Sequence, residues 1–332
     1  MDTTIYHQLA QTVGAGDSRY IPKIFEVLAD ENEAKILLAA APPATVVELS
    51  DKCGLAASQI ELLLERLFAK GLILKSKKPD ATRYYRVRNL LQMHDATAVT
   101  LDASREMLDL WKDFMADEYD RYNLELEKIL PSAVMRVIPV NVSILAQSQI
   151  LAFDDIQKIV DNARILAVTK CSCRVIDGSC GKPVEVCVQV DKAADYAIER
   201  GTGRPIEKSQ ALELMKQCEE DGLIHVSDNK RAPGHVICNC CSDCCIAWPS
   251  VRTGLGKFIA PSRFCAQVDT QRCSSCETCL DRCYFEAIAM TGADDTAQIA
   301  SDKCMGCGLC LLTCPEEAIS LKEVRPETFI PS

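Results

Sequence analysis

The chain has 332 residues, of which 48% are hydrophobic and 25% charged, and its formal net charge at pH 7 is −10. This length suits two or three domains better than one core, and the acidic balance disfavours non-specific binding of the whole chain to nucleic acid or anionic membranes. Because no apolar stretch could span a bilayer and the first residues carry no secretory signal, we expect a cytoplasmic protein without membrane contact.

Residues 1–100 have the pattern of a small helical domain that ends in a β-hairpin. Apolar residues recur at helical spacing from Ile24 to Leu38, a short helix follows, and a third helix is predicted over 58–70 with Ser58 as its N-cap. Residues 72–87 hold two apolar runs around a polar turn, which predicts a hairpin. Three helices followed by a hairpin resemble the winged-helix form of the helix-turn-helix.

The charges of this winged-helix-like module disfavour DNA as its partner. The helix that would enter the major groove exposes Glu61 and Glu65, and DNA phosphates repel carboxylates. The hairpin is basic, but residues 1–100 as a whole contain twelve basic and twelve acidic side chains. We therefore predict a module for protein contact or homodimerisation, with DNA binding as the less favoured alternative.

Nineteen of the twenty cysteines lie between residues 171 and 314. Disulfides do not persist in a reducing compartment and are typical of small secreted domains, so this distribution favours thiolates bound to metal. Cys53 is predicted to be a buried apolar residue, and Cys218, on the apolar stripe of a helix, is predicted to pack in the core. Cys265 is left unassigned, and His225 and His235 are predicted to be structural rather than ligands.

The strongest motifs are CSSCETCLDRCYFEAIAM from residue 273 and CMGCGLCLLTCPEEAISL from residue 304. Each contains a C-x₂-C-x₂-C-x₃-C run, and over about residues 262–322 the pair resembles the bacterial two-cluster ferredoxins. A zinc ribbon, which usually supplies two C-x₂-C pairs, fits less well. Pro315 follows the family pattern after the fourth cysteine of its run, whereas Tyr284 departs from it, which puts local rigidity and reduction potential in doubt.

The ferredoxin resemblance implies two [4Fe–4S] clusters with crossed ligand sets. One set is Cys273, Cys276, Cys279 and Cys314. The other set is Cys304, Cys307, Cys310 and Cys283.

Nine further cysteines are predicted to bind metal in the middle of the chain, and iron is favoured over zinc because the ferredoxin runs are adjacent. These cysteines are Cys171, Cys173, Cys180, Cys187, Cys238, Cys240, Cys241, Cys244 and Cys245. They imply one or two additional iron–sulfur clusters.

The segment 238–245 holds five of these nine thiols. Alternate residues share a face of an extended chain, so Cys238 and Cys240 can converge while Cys241 points away. The vicinal pairs 240–241 and 244–245 are expected to diverge for the same reason. One cubane does not readily use all five thiols, so either two cubanes share the segment or one larger or open cluster occupies it.

The predicted fold class is α+β multidomain. We expect a winged-helix-like domain over 1–100, a helical connector over 101–135, a mixed α/β cysteine-rich domain over 136–260 and a ferredoxin-like two-cluster domain over 261–332. This order, with CSCR and then CNCC-x₂-CC in the middle domain, resembles uncharacterised iron–sulfur proteins of anaerobic bacteria and archaea.

Three functions are compatible with these motifs, and no catalytic residue is identified. The favoured one is an electron-transfer protein that passes low-potential electrons through several clusters to or from a partner redox enzyme. The second is a reductase in which Arg174, Lys182 or Arg204 holds a small anionic substrate at an unusual middle cluster. The third is a regulator whose cluster state controls the winged helix.

Overall fold

The computed structural model describes residues 4–140, 155–231, 234–248, 251, 258–291 and 295–332. The chain forms two compact units. Unit 1 comprises Met1–Asn123, Lys170–Gly178 and Glu199–Thr202, and unit 2 comprises Leu124–Thr169, Ser179–Ile198 and Gly203–Ser332. The four domain boundaries expected from the sequence stay a prediction. Within the described ranges, no helix is both long and apolar enough to cross a membrane.

The described residues form a mixed α/β protein, which agrees with the predicted class at that level. Its helices are α1 (Ile5–Thr12), α2 (Ile21–Leu28), α3 (Glu31–Ala39), α4 (Val46–Cys53), α5 (Ala57–Ala69), α6 (Leu90–Thr97), α7 (Arg105–Asp117), α8 (Tyr119–Ile129), α9 (Ile156–Asn162), α10 (Ser172–Asp177), α11 (Lys192–Glu199), α12 (Lys208–Glu220), α13 (Thr278–Arg282) and α14 (Leu309–Leu312). Its strands are β1 (Ile73–Lys77), β2 (Thr82–Arg86), β3 (Met135–Val137), β4 (Leu166–Lys170), β5 (Glu185–Val190), β6 (Gly203–Ile206), β7 (Ile224–Asp228), β8 (Val236–Cys240), β9 (Ile259–Ala260), β10 (Phe264–Val268), β11 (Ile288–Thr291), β12 (Thr296–Ile299) and β13 (Ile319–Glu323).

Unit 1 contains the expected hairpin, but the apolar pattern from Ile24 to Leu38 forms two helices, α2 and α3, that are separated by an extended Ala29 and the N-cap Asp30. Helix α3 begins with a capping box between Asp30 and Glu33, which satisfies two backbone N–H groups that the helix leaves unpaired. Strands β1 and β2 pair antiparallel, and Ala44, ahead of α4, adds a single bridge to Tyr84. The hairpin prediction is therefore confirmed.

The predicted start of the third helix is wrong by one residue. Helix α5 begins at Ala57, its N-cap is Ala56 without a side-chain hydrogen bond, and Ser58 lies inside the first turn. The buried stripe that includes Ile60, Leu64 and Leu67 anchors this helix to the core, so packing rather than capping determines its position.

Unit 2 is built around a seven-stranded sheet with the order β6-β4-β5-β8-β7-β3-β9. Strand β8 pairs antiparallel with both β5 and β7, so it lies in the middle of the sheet. Helices α9 and α12 bury apolar side chains such as Ile159 and Met215 in the core next to β5 and β8. The cysteine-rich segment 238–245 thus begins on a strand that is held on both sides.

The C-terminal part of unit 2 contains two small antiparallel sheets, β10–β13 and β11–β12, and the short helices α13 and α14. Its core includes Phe264, Ile319 and Leu321 together with the cysteines Cys279 and Cys310. Thiols therefore take part directly in the packing of this region.

Candidate metal centres

The two C-terminal cysteine runs repeat one backbone conformation. Ser275 and Gly306, which occupy equivalent positions in the two runs, both have positive φ, at 57° and 66°. Glu277 and Gly308 are a second equivalent pair, with φ of 62° and 81°. Such left-handed residues turn the chain tightly between successive cysteines. The repeat therefore bends each run around a small space.

Each of the two spaces is a cavity lined by four cysteines, three from one run and one from the other. Cavity I is lined by Cys273, Cys276, Cys279 and Cys314. Cavity II is lined by Cys283, Cys304, Cys307 and Cys310. Apolar side chains such as Met290 in cavity I and Ile288 in cavity II complete the walls.

Polar hydrogens point at several of these sulfurs. The backbone N–H groups of Ala287 and Ala318 donate to the Sγ atoms of Cys283 and Cys314, at N···S distances of 3.4 and 3.3 Å. These two bonds occupy equivalent positions in the repeat. Hydrogen bonds to cysteine sulfur stabilise the thiolate and tune the potential of a bound cluster.

Burial raises the pKa of several of these thiols, so without a cation nearby they favour the protonated form. It raises the pKa of Cys307 to about 12 and also raises the pKa values of Cys279 and Cys310. A bound metal inverts this preference, because its positive charge deprotonates a coordinating thiol. Cys276, in cavity I, is the exception: it is exposed, and a hydrogen bond from Thr278 lowers its pKa.

The donor set and an orphaned hydrogen-bond donor fit an iron–sulfur cluster in cavity II. Its polar lining includes four thiols and Arg282, whose Nε is buried and has no hydrogen-bond partner among the described residues. Thiolates are the ligands of [4Fe–4S] clusters, and the electron-rich sulfurs of such a cluster accept hydrogen bonds. Cavity II thus offers four thiol ligands and, in its lining, one arginine with an unpartnered buried N–H.

Cavity II also depends on one glycine. A Cβ on Gly306 would lie 2.1 Å from the Phe264 carbonyl oxygen and 2.3 Å from Ser262 Oγ, and its φ is +66°. We expect Gly306→Ala to destabilise the protein by about 2–4 kcal/mol and to lower its iron retention, because both strain and overlap must be relieved. Thermal unfolding and iron content measure the effect.

The control for this prediction is Ser275→Ala, at the equivalent position of the other run. Ser275 already carries a Cβ at positive φ, so Ser275→Ala adds neither backbone strain nor overlap and should destabilise the protein less than Gly306→Ala does. Equal effects of the two substitutions would contradict the account.

The thiols of the middle region in unit 2 separate into two groups. The Sγ atoms of Cys180, Cys241 and Cys244 all lie within 4.8 Å of one another, and the backbone N–H of Cys244 donates to Cys241 Sγ at 3.5 Å. Hydrogen-bonding contacts with Cys238 and Cys245, together with burial, raise the pKa of Cys240. Cys240 and Cys245, the chain neighbours of Cys241 and Cys244, do not belong to the group of three.

The remaining middle cysteines lie in different places. Cys187 is buried on β5 in unit 2. Cys171 and Cys173 belong to unit 1, at the start of α10. Cys218 is buried on α12, as predicted, whereas Cys53 is only half-buried where it packs against the core of unit 1. The prediction that Cys53 is a core residue is thus too strong, because it lies in the last, partly exposed turn of α4.

Cys265, which the sequence left unassigned, is buried on β10 close to Cys304. Burial and the neighbouring Cys304 thiol raise its pKa to about 11. It does not line cavity I or cavity II.

His225 has a structural role, as the sequence suggested. It is 1% exposed, its Nδ1 pairs with Asn239 Oδ1 at 2.6 Å and its Nε2 faces Glu219 Oε1 at 3.2 Å. Asn239 in turn donates through Nδ2 to the Val186 carbonyl oxygen at 2.5 Å. Both ring nitrogens therefore have protein partners, and the network ties β5, β8 and β7 to α12.

Aromatic residues that the sequence did not single out connect the 238–245 segment with cavity II. Phe285 lines cavity II and contacts Trp248 edge-to-face, with ring centroids 5.3 Å apart. The backbone N–H of Trp248 donates to the Cys245 carbonyl oxygen, and its buried indole Nε1 has no hydrogen-bond partner among the described residues. The indole thus offers a second orphaned donor beside a thiol group.

Tyr284 occupies the position at which the ferredoxin pattern usually has proline. Its hydroxyl donates to the Gly222 carbonyl oxygen at 2.5 Å. Burial raises its pKa, the nearby Arg282 lowers it, and Asp243, Cys241 and Cys307 add to the rise. The phenol therefore lies within electrostatic reach of thiols from both the middle region and cavity II.

Unit 2 also has an open groove of about 700 Å³ between β4–β6 and α12. Arg204 lines it, but pairs with Glu185 at 3.3 Å. Lys182 donates to the Asp221 carbonyl oxygen, and Arg174 is buried in unit 1. None of the nine predicted middle ligands lines this groove.

The cavities and their cysteines define a two-cluster iron–sulfur module. Residues 266–321 match the family model of the 4Fe-4S dicluster domain. A 4Fe-4S dicluster domain therefore occupies this part of the chain, and such a module serves iron–sulfur electron transfer. Neither the curated proteins nor the solved structures that were compared with the chain gave a match.

Proposed function

We propose that this protein carries low-potential electrons between a redox partner protein and metal centres held by unit 2. The observation that carries the proposal is the pair of cavities, each lined by four cysteines in crossed sets. We assign cavity I to one [4Fe–4S] cluster and cavity II to a second, with the lining cysteines as ligands. When bound, each cluster supplies a one-electron carrier.

The chain's own residues protect and tune these carriers. Apolar walls that include Met290 and Ile288 exclude water from the two cavities. The N–H groups of Ala287 and Ala318 stabilise the negative charge on Cys283 and Cys314. More hydrogen bonds to sulfur raise a reduction potential, and solvent exclusion also shifts it.

The contacts between the ferredoxin region and the middle thiols support electron exchange between them. Phe285, in the wall of cavity II, contacts Trp248. The backbone N–H of Trp248 in turn donates to the Cys245 carbonyl oxygen. The N–H of Val140 also donates to the Cys307 carbonyl oxygen at 2.8 Å. We therefore propose one or two further iron–sulfur clusters in the middle region, drawn from its nine cysteines.

The N-terminal part of unit 1 is proposed to be a winged-helix-like module that contacts a protein partner or a second copy of the chain. Its hairpin is basic, but Lys75 and Lys77 both pair with Glu199, and Arg83 pairs with Glu48. Cations engaged in this way are poor phosphate ligands. The exposed apolar side chain of Leu62, on α5, suits a protein contact better than DNA.

A potentiometric titration of the anaerobically reconstituted full-length protein tests the proposed function. We expect reversible one-electron reduction of both ferredoxin clusters at low potential, and oxidation of the reduced protein by an artificial one-electron acceptor such as cytochrome c. A protein that binds iron but shows no reversible reduction above the potential of dithionite would contradict the proposal. A Cys218→Ala protein, altered at a buried cysteine outside all thiol groups, serves as the matched control.

A further inference from the structure

Three thiols of unit 2 form a compact group that lines neither cavity I nor cavity II. The Sγ atoms of Cys180, Cys241 and Cys244 all lie within 4.8 Å of one another. The backbone N–H of Cys244 donates to Cys241 Sγ at 3.5 Å. These two cysteines also have the C-x₂-C spacing with which one short segment supplies two ligands to a single metal ion.

The fold brings Cys180 to the other two thiols at the turn between α12 and β7. Strands β7 and β8 pair with Ile224 opposite Cys240, so the segment that follows β8 begins beside the start of β7. Near Cys180, the Nζ of Lys182 donates to the carbonyl oxygen of Asp221, in the same turn, at 2.7 Å. Strand pairing and this hydrogen bond therefore hold the two thiol-bearing segments together without the help of a metal.

The spacing of the three sulfurs fits one metal ion and not an iron–sulfur cubane. Tetrahedral zinc binds thiolates at about 2.3 Å, which places its ligand sulfurs about 3.8 Å apart. In a [4Fe–4S] cluster each cysteine binds a different iron, so the ligand sulfurs lie further apart. Three sulfurs that are all within 4.8 Å of one another leave space for one ion between them.

The group offers three protein ligands and leaves a fourth position free. All twenty cysteines lie in the described part of the chain, and no other Cys, His, Asp or Glu side chain of that part joins these three. Cys241 and Cys244 are buried, whereas Cys180 is half-buried, so the group is not sealed from solvent. Zinc that is held by three protein ligands keeps its fourth position for water or another exchangeable ligand.

We infer that Cys180, Cys241 and Cys244 bind a single zinc ion as thiolates, with an exchangeable ligand in the fourth position. Soft thiolates select zinc, copper(I) or iron–sulfur clusters, and an incomplete tetrahedron of three sulfurs suits zinc, which accepts oxygen or nitrogen as the fourth ligand. Zinc does not change its oxidation state, so this site binds and polarises its fourth ligand rather than carrying electrons. The inference goes beyond the proposed electron transfer and does not rest on it. The six other middle cysteines remain available to an iron–sulfur cluster.

The chain neighbours of the group provide matched controls. Cys240 immediately precedes Cys241 and Cys245 immediately follows Cys244, but neither belongs to the group. One short segment thus contains two zinc ligands and two cysteines that do not bind the zinc. The effect of a substitution on zinc can therefore be separated from its effect on the segment as a whole.

Zinc K-edge X-ray absorption of the full-length protein tests the inference without any substitution. The protein is reconstituted anaerobically with iron and sulfide, given a small excess of zinc and then freed of unbound metal. We expect about one zinc per chain beside the cluster irons, with three sulfurs at about 2.3 Å and one oxygen or nitrogen at about 2.0–2.2 Å. Zinc with four sulfur ligands, or a protein that retains no zinc, would overturn the inference.

Single variants identify the ligands. Cys180→Ala, Cys241→Ala and Cys244→Ala should each lose the zinc and keep the iron content of the wild type. Cys240→Ala and Cys245→Ala should keep the zinc. Loss of about four irons from any of the first three variants, or retention of zinc by all three, would contradict a single-ion site. Where an alanine variant does not fold, the X-ray absorption of the wild type decides alone.

The outcome separates this inference from the proposed function. Reversible reduction of the clusters in cavities I and II reports on electron transfer and does not require zinc. A fully reducible wild-type protein that retains no zinc would overturn the zinc site and leave electron transfer in place. A protein that holds zinc on the three cysteines but shows no reversible reduction would do the reverse.

Discussion

Cys314→Ala is expected to remove the cluster of the first run and to spare the cluster of its own run. Cys314 lines cavity I together with Cys273, Cys276 and Cys279, although it belongs to the second run in the sequence. Losing this corner leaves three thiolates around cavity I, so the protein should contain about four fewer irons or a three-iron cluster there. Iron content and EPR of the oxidised and reduced protein measure the change.

Cys283→Ala is the mirror experiment, because Cys283 lines cavity II with three cysteines of the second run. The two variants should lose different EPR components. Cys218→Ala is the control, since Cys218 is buried on α12 and lines neither cavity. If Cys314→Ala altered the same component as Cys304→Ala and left that of Cys273→Ala unchanged, the crossed arrangement would be wrong.

His225→Ala is expected to lower the free energy of unfolding by about 3 kcal/mol. The imidazole is 1% exposed and connects Asn239 with Glu219. Its removal takes a partner from each of two buried polar groups and leaves a cavity behind β8. Because β8 carries Cys238 and Cys240, we also expect faster loss of iron from the middle region on warming. Thermal unfolding and time-resolved iron release measure both effects.

His235→Ala is the matched control for His225→Ala. His235 is a hydrogen-bonding neighbour of Asp228 at the protein surface, and its side chain is 58% exposed. Surface substitutions of this kind change stability by no more than about 0.5 kcal/mol. Equal destabilisation by the two substitutions would mean that the buried network does not support β8.

The C-terminal cysteine site could be predicted from the sequence because most of the cysteines that line each cavity lie close together along the chain. Cysteines three residues apart wrap one small space, and the left-handed residues between them, such as Ser275 and Gly306, lie within the same runs. Strand periodicity also predicts that Cys238 and Cys240 share one face of β8.

The middle site could be anticipated only in part, because its partners are distant in the chain. Cys180 joins Cys241 and Cys244 through the tertiary fold. Cys187 lies on β5, the neighbour of the strand β8 that carries Cys238, although β6 and β7 separate these strands in the chain. The spacing of these cysteines along the chain does not indicate which of them come together in the fold. The hydrogen bonds of His225 likewise depend on the tertiary fold, because Asn239 lies on β8 and Glu219 on α12.

The anaerobic iron and sulfide content of the full-length protein, read with the EPR spectrum of its reduced form, tests the central claim most directly. The account predicts about twelve to sixteen irons and a matching amount of acid-labile sulfide per chain, from two clusters in cavities I and II and one or two in the middle region. Fewer than about eight irons, or zinc in their place, would contradict the assignment of clusters to cavities I and II.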